Sequence, residues 1–395
     1  MCGERNRDIC FVFPGLLEAE TGRGGGREER CLQITFHLSG CFNIVLLSPS
    51  WHYPRCKHLS EHLVVKSLRF PAVKNYPPIS DIDKIITSLS IIFYSLLVCM
   101  NIIYLKKEYL KVIVITDLFS GFLPALVARI LRLKVIFYEG NLTPWVSPWL
   151  YPTNTNIIRI AFSSFRIIVG RTICSLSTKI VVNSGLIKKS MEHYGTSAKK
   201  IVIIRGGADT NAFKPSSHLS ILPRRINVGF IGRLEDEKGA LLLLEICKRA
   251  IVELPEARFF IFGDGTYRSN FEHLPNVEHV GNVTRSTLNQ RLVQVQVVLF
   301  FQKDLGLAEY ETMASGKAVI ACNVGEVPKI LQNHKNALLC KPNVNAYLQA
   351  ISRVIHDHSL LNKLSTNARE TTIRHFDWQV ISLQWQSMIK NLLAK

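Results

Sequence analysis

The tightest constraint on this chain's fold is an alternation in its second half. Short apolar runs at 228–231, 258–262, 277–280, 295–301, 318–321 and 337–339 are mostly separated by stretches of helical spacing. Such runs read as strands covered on both faces, so the pattern predicts a parallel sheet with helices on either side. The first half is less even. Strands are expected at 8–13, 43–47, 111–117, 134–138 and 179–184, and a helix over 121–133. The stretch 50–79, with Trp51, His52 and several prolines, has no usable period. Ligands of open α/β sheets gather beyond the carboxyl ends of the strands, which is where candidate residues are sought.

Residues 304–322 read as a glycine loop, an acidic-starting helix that stops at Gly316, and a buried strand. Gly306 permits close backbone approach, and Glu309 and Glu311 suit the positive helix end. After the run 228–231 comes Gly232-Arg-Leu-Glu-Asp-Glu-Lys-Gly239. Either Arg233 and Lys238 converge on a diphosphate, or the loop closes on itself in salt bridges among Arg233, Glu235, Glu237 and Lys238. Phe262-Gly-Asp-Gly-Thr266 is a second glycine turn at a strand end. The loop 20–30 carries Gly24, Gly25 and Gly26 before a periodic segment at 31–38. It is either a phosphate-facing strand–loop–helix or a flexible surface loop. Glu139 ends another expected strand, beside Gly140 and Asn141. Asn183 and Ser184 are expected to cap the next helix.

At 395 residues the chain is long enough for two domains with substantial cores. A formal charge of +18 points to an anionic partner. The basic residues are dispersed and no long Lys/Arg tract interleaves with aromatics, which disfavours nucleic acid. Ten cysteines without Cys-x-x-Cys pairs suggest reduced, packed thiols in a cytosolic protein rather than disulfides or a metal site. Residues 85–105 carry no charge and are long enough for a spanning helix. Their four early Ser and Thr residues, and the strand that follows at once, favour a helix buried in the N-terminal domain. In 144–176, Trp145, Trp149 and Tyr151 precede an apolar segment with Arg159, Arg166 and Arg171. This suits the headgroup layer of an anionic membrane, or an ordinary helix packed on its own domain.

The pattern Gly-Leu-x-x-x-Glu-Thr-Met-Ala-Ser-Gly-Lys-Ala-Val at 306–319 resembles the donor-site signature of the retaining GT-B glycosyltransferases of family four. The resemblance runs from about residue 9 to the end, and is strong over 179–342. It implies an α/β GT-B fold, two Rossmann-like domains with parallel sheets facing a central cleft. The domains would be an acceptor-binding unit at 1–210, a nucleotide-sugar-binding unit at 211–375, and a helix at 376–395 crossing back to the first. Arg233 and Lys238 match the family's Arg-x4-Lys, with Gly232 beside them. Gly25 and Gly26 are similar to its Gly-Gly-x-Glu, Gly263 to its second glycine turn, and Val283 to the point that holds the base. Gly306, Leu307 and Glu311 match the sugar and ribose contacts. The first acid of the family's E-x7-E motif falls at Lys303, a reversal of charge. Arg233, Lys238, Glu139 and Lys303 are the catalytic candidates. The implied activity is retaining transfer of a hexose from a nucleotide diphosphate sugar to a lipid-linked or glycan acceptor, peripherally at the cytoplasmic membrane face, with no cofactor and no metal. Two alternatives stay open. One is a weak or inactive subunit that binds nucleotide sugar, for which Lys303 argues. The other is a nucleotide-sugar 2-epimerase, which would need carboxylates and a histidine that lack clear candidates.

Overall fold

A computed structural model describes residues 8–13, 26–49, 56–68, 81–140, 157–215 and 225–394. The chain divides into two compact units, Met1–Arg205 with Ser382–Lys395, and Gly206–Ile381.

The first unit holds strands β1 (Ile9–Val12), β2 (Ile44–Pro49), β3 (Cys56–Ser60), β4 (Leu63–Leu68), β5 (Val112–Ile115), β6 (Lys134–Glu139), β7 (Lys179–Val182) and β8 (Ile201–Ile203). Its helices are α1 (Gly26–Leu38), α2 (Asp81–Lys107), α3 (Leu118–Ile130), α4 (Ile157–Leu176) and α5 (Gly185–His193). The sheet order is β3-β4-β2-β1-β5-β6-β7-β8, parallel except for the β3–β4 hairpin. That hairpin departs from the expected all-parallel sheet and lies in the stretch that had no period. The turn at Glu61 and His62 is too short for a crossover, so the two strands must pair antiparallel.

Residues alternate across this sheet. Cys10, Val12, Ile113, Ile115, Val135 and Phe137 meet α2, α3, α4 and α5 on one face. Phe11 and Tyr138 point to the other, where Trp385, fully buried, packs against both rings, tilted to the first and edge-on to the second. Asp117 caps α3 by accepting from the Ser120 amide at 3.0 Å, so the helix starts a turn before the expected 121. The helix expected at 31–38 likewise begins earlier, at Gly26. Ser184 caps α5 as expected, at 3.4 Å to the Ile187 amide. Asn183 does not. It donates to the Gly140 carbonyl and accepts from the Tyr138 hydroxyl.

The expectation of a buried helix at 85–105 needs correction. Tyr94, Val98, Ile102 and Leu105 of α2 face the sheet, and the Tyr94 hydroxyl donates to the carbonyls of Phe13 and Leu47. The opposite side stays exposed, with Ile92 at 53% and Met100 at 66%. The stretch Ser90–Lys107 is long and apolar enough to cross a membrane by length and composition, yet here it connects β4 to β5. A second correction concerns the thiols. Cys56 is disulfide-bonded, against the expectation of uniformly reduced cysteines. Spacing alone did not carry that pairing.

The second unit contains β9 (Ile226–Ile231), α6 (Ala240–Glu253), β10 (Ala257–Phe262), α7 (Arg268–Phe271), β11 (Val277–Gly281), α8 (Arg285–Leu292), β12 (Val297–Phe300), α9 (Leu307–Ala314), β13 (Ala318–Cys322), α10 (Val327–Ile330), β14 (Leu338–Cys340), α11 (Val344–His356) and α12 (His358–His375), followed by α13 (Trp378–Leu393). Its sheet is wholly parallel in the order β11-β10-β9-β12-β13-β14. Val228, Phe259, Leu299 and Ile320 meet α6 and α11 on one face, and Phe260, Val298 and Val319 meet α8 and α9 on the other. The segment 206–215 is tied into this unit: Ala208 bridges Asp377, and the Arg369 guanidinium donates to the carbonyls of Phe213 and Ala314.

Candidate functional site

In the second sheet the chain works outward from β9 through β10 to β11, then crosses back to place β12 on the other side of β9. The strand order therefore reverses between β9 and β12, where a doubly wound sheet opens its ligand crevice. The loops leaving those two strands are 232–239 and 301–306. They carry Arg233, Lys238, Lys303 and Gly306, so topology alone brings these four to one edge.

Backbone bonds lace the neighbouring strand ends together. The Gly232 amide donates to Phe262, Leu234 to Asp264, and Gly263 to Gly281, all at 2.9–3.0 Å. Gly263 is obligatory here, because a Cβ would lie 1.9 Å from the Gly232 carbonyl oxygen at a φ of +148°. Glu235 holds the Gly265–Thr266 turn by accepting from both the amide and the hydroxyl of Thr266 at 3.1 Å. The loop then makes one tight turn, Asp236–Lys238, and enters α6.

Of the two readings of this loop, the salt bridge is present: Arg233 pairs with Glu237. Both side chains remain largely in solvent, at 65% and 50% exposure, so the pair is a weak one that an incoming anion can exchange. Lys238 acts on a different carboxylate. Glu309 is buried at the start of α9 and its Oε2 accepts from the Gly306 amide at 2.8 Å. Burial raises its pKa, and the Lys238 charge and the Gly306 amide oppose that rise. Leu307 is buried behind the turn.

Glu311 is 3% exposed and pairs with Arg285 at the first position of α8. Arg285 was missed by sequence reasoning. A signal existed: Thr284 caps α8, and a cation directly after a cap opposes the helix dipole unless a carboxylate faces it. Val283, expected to help hold a base, sits between β11 and that cap and packs on the core beneath. Glu309, expected at the positive helix end, takes the Gly306 amide there.

Lys303 is exposed, and its carbonyl accepts from the Glu326 amide at 2.8 Å. Gly325 fits beneath it, since a Cβ there would come 2.2 Å from the Lys303 oxygen. The lysine is thus fixed through its backbone while its side chain is free to meet solvent. Lys317, after the stop glycine, is 2% exposed, and its Nζ meets no hydrogen-bond partner among the described residues. Burial pushes its pKa down to about 8.

The first unit carries a different cluster. Arg30 of α1 donates to the Gly140 carbonyl at 2.7 Å, and Asn183 donates to the same oxygen at 2.6 Å. A side chain at Gly140 would press on both groups, at 3.1 and 3.2 Å. Glu139 is the buried last residue of β6. Gly26 opens α1 and is exposed, whereas Gly25, Asn141 and the aromatics Trp145, Trp149 and Tyr151 lie outside the described residues. Among the described residues no group of His, Cys, Asp and Glu could hold a metal ion.

Two doubly wound α/β units are the architecture of a GT-B fold. Residues 225–357 match the family model for glycosyl transferases group 1. The sulfoquinovosyl transferase SQD2 of Arabidopsis thaliana is 28% identical over 218 residues, 50% of this chain and 42% of the relative. The chain spans about half the length of the curated relatives it matches. Among solved structures, sucrose-phosphate synthase of Thermosynechococcus elongatus superposes with a TM-score of 0.76 at 18% identity, covering 98% of this chain and 99% of that one. Anabaena HepE, solved in complex with UDP-glucose, gives 0.68 at 16% identity over 97% and 99% of the two chains. At such identities these structures show the fold.

Proposed function

We infer that this protein is a nucleotide-sugar-dependent glycosyltransferase of the retaining type. It moves a hexose from a nucleotide diphosphate sugar to a lipid-linked or polysaccharide acceptor at an anionic membrane surface. The observation that carries this reading is the placement of Arg233 and Lys238 on the loop after β9, at the reversal of strand order in the second sheet, with Lys238 acting on Glu309 at the start of α9. The family match over 225–357 and the nucleotide sugar held by HepE support it.

The chemistry follows from charge. Breaking the bond between sugar and diphosphate puts negative charge on the departing phosphate oxygens. Arg233 offers a planar fork and Lys238 a point charge, and fixed cations near developing charge lower the barrier without reorganisation. The departing oxygen itself takes the acceptor's hydroxyl proton, so neither a separate base nor a metal is needed. Glu311 would grip the ribose hydroxyls after Arg285 yields the carboxylate. Glu139 would face the transferred sugar.

One set of contacts favours a second reading, a subunit that binds nucleotide sugar with little turnover. Lys303 stands where the family carries an acid, Glu309 occupies the Gly306 amide, and Arg285 occupies Glu311. Turnover on a panel of nucleotide sugars decides between them. The transferase reading predicts release of nucleoside diphosphate with one donor, reduced at least tenfold in Arg233→Ala. Binding without release in the parent, with turnover restored by Lys303→Glu, would establish the second.

A further inference from the structure

We propose that the outer surface of the α2–α3–α4 layer is the face that docks on an anionic membrane. This deepens the membrane part of the reading above. Its test uses no nucleotide, so either can fail alone.

The layer covers one side of the first sheet, with α3 packed against both α2 and α4. A helix of this kind should turn polar residues outward. On α2 the outward positions are instead Ile92, Leu96, Met100 and Ile103, a continuous stripe at helical spacing and 48–66% exposed. The neighbouring helices continue it with Ile130 at 72% and Ile168 at 62%. Scattered exposed apolar residues need no explanation, but a stripe on α2 with further exposed apolar residues on the next two helices of the layer does.

Charge selects the occupant. No Asp or Glu occurs in 84–107, 118–130 or 157–176, which span these helices from the second turn of α2 onward. Of the acids that flank them, Asp117 is turned back as the cap of α3 and Glu108 is half-buried after α2, while Asp81 and Asp83 lie in the first turn of α2, at the end away from Lys106 and Lys107. Each helix runs against the strand it follows, so the last turns of α2 and α3 gather at the edge where β5 and β6 begin. There Lys106, Lys107, Arg129 and Arg132 are all exposed. An apolar field with a cationic rim and no carboxylates matches lipid headgroups of negative charge over an acyl layer. A second copy of the same face would bring like charges together, which disfavours a dimer through it.

The test is flotation of the full chain with vesicles of phosphatidylcholine alone and with vesicles containing phosphatidylglycerol. Binding is expected to the anionic vesicles, to weaken with salt, and to fall about tenfold in Met100→Glu and in the pair Lys106→Glu, Lys107→Glu. Val252→Glu, at an 84% exposed apolar position of the other unit, serves as the control and should bind as the parent does. Thermal melting of each variant shows that it is folded, as exposed positions allow. No binding to either vesicle overturns the proposal. So does equal loss in the control, or a parent that sediments as a dimer which Met100→Glu dissociates.

Discussion

The two units place charged residues at the carboxyl ends of their strands in opposite ways. In the first, Arg30 is 8% exposed and its guanidinium, Asn183 and the Tyr138 hydroxyl close a network around the Gly140 carbonyl. In the second, Arg233 is 65% exposed in a pair with Glu237, and Lys303 points to solvent. A buried guanidinium that donates to a backbone carbonyl holds a fold. One that meets a carboxylate in water can trade it for a phosphate. The same residue type therefore reads as framework in one sheet and as a candidate binder in the other.

That contrast can be broken by substitution. The largest effect is expected from Arg233→Ala, which should lower kcat/KM by about 10²-fold or more, roughly 3 kcal/mol of transition-state stabilisation, with the melting temperature hardly moved. Next is Lys317→Met. Burial lowers this lysine from 10.5 to about 8, so the unfolded chain binds a proton that the native one resists. The penalty is full below pH 8, shrinks as pH rises toward 10.5, and is worth roughly 3 kcal/mol. Urea titrations at pH 7 and pH 10 should show the variant more stable by about that amount at the first and by much less at the second. Arg30→Ala comes third, a loss of about 2 kcal/mol of stability from a charged hydrogen bond, read from the denaturation midpoint, with nucleotide affinity unchanged. A reversed outcome, Arg233→Ala unfolding the protein and Arg30→Ala abolishing binding, would exchange the roles of the two clusters.

Much of the fold was legible because the second sheet is buried on both faces. Its strands read as bare apolar runs, and each glycine loop marks a strand end, as Gly263 does by abutting Gly232. The hairpin β3–β4 was not legible, since Cys56–Ser60 is a half-exposed edge strand with neither a clean alternation nor a fully apolar run. At the candidate site, Arg233 and Lys238 stood out as cations on a loop after a strand, and Glu311 through the family resemblance. Their partners did not. Arg285 reaches Glu311 across 26 residues of sequence, and only the return of the chain from β11 to β12 places α8 beside α9. The exposed side of α2 was hidden for a different reason, because an unbroken apolar helix gives no period to say which face is wet.

We propose that the loop 232–239 and the start of α9 hold a diphosphate. Calorimetric titration of the parent chain, Lys238→Ala and Arg233→Ala with uridine and guanosine diphosphates tests it directly. Saturable binding of a nucleoside diphosphate by the parent, weakened at least tenfold in both variants, is the predicted result. Binding that survives both substitutions unchanged, or none in the parent with either nucleotide, would contradict it.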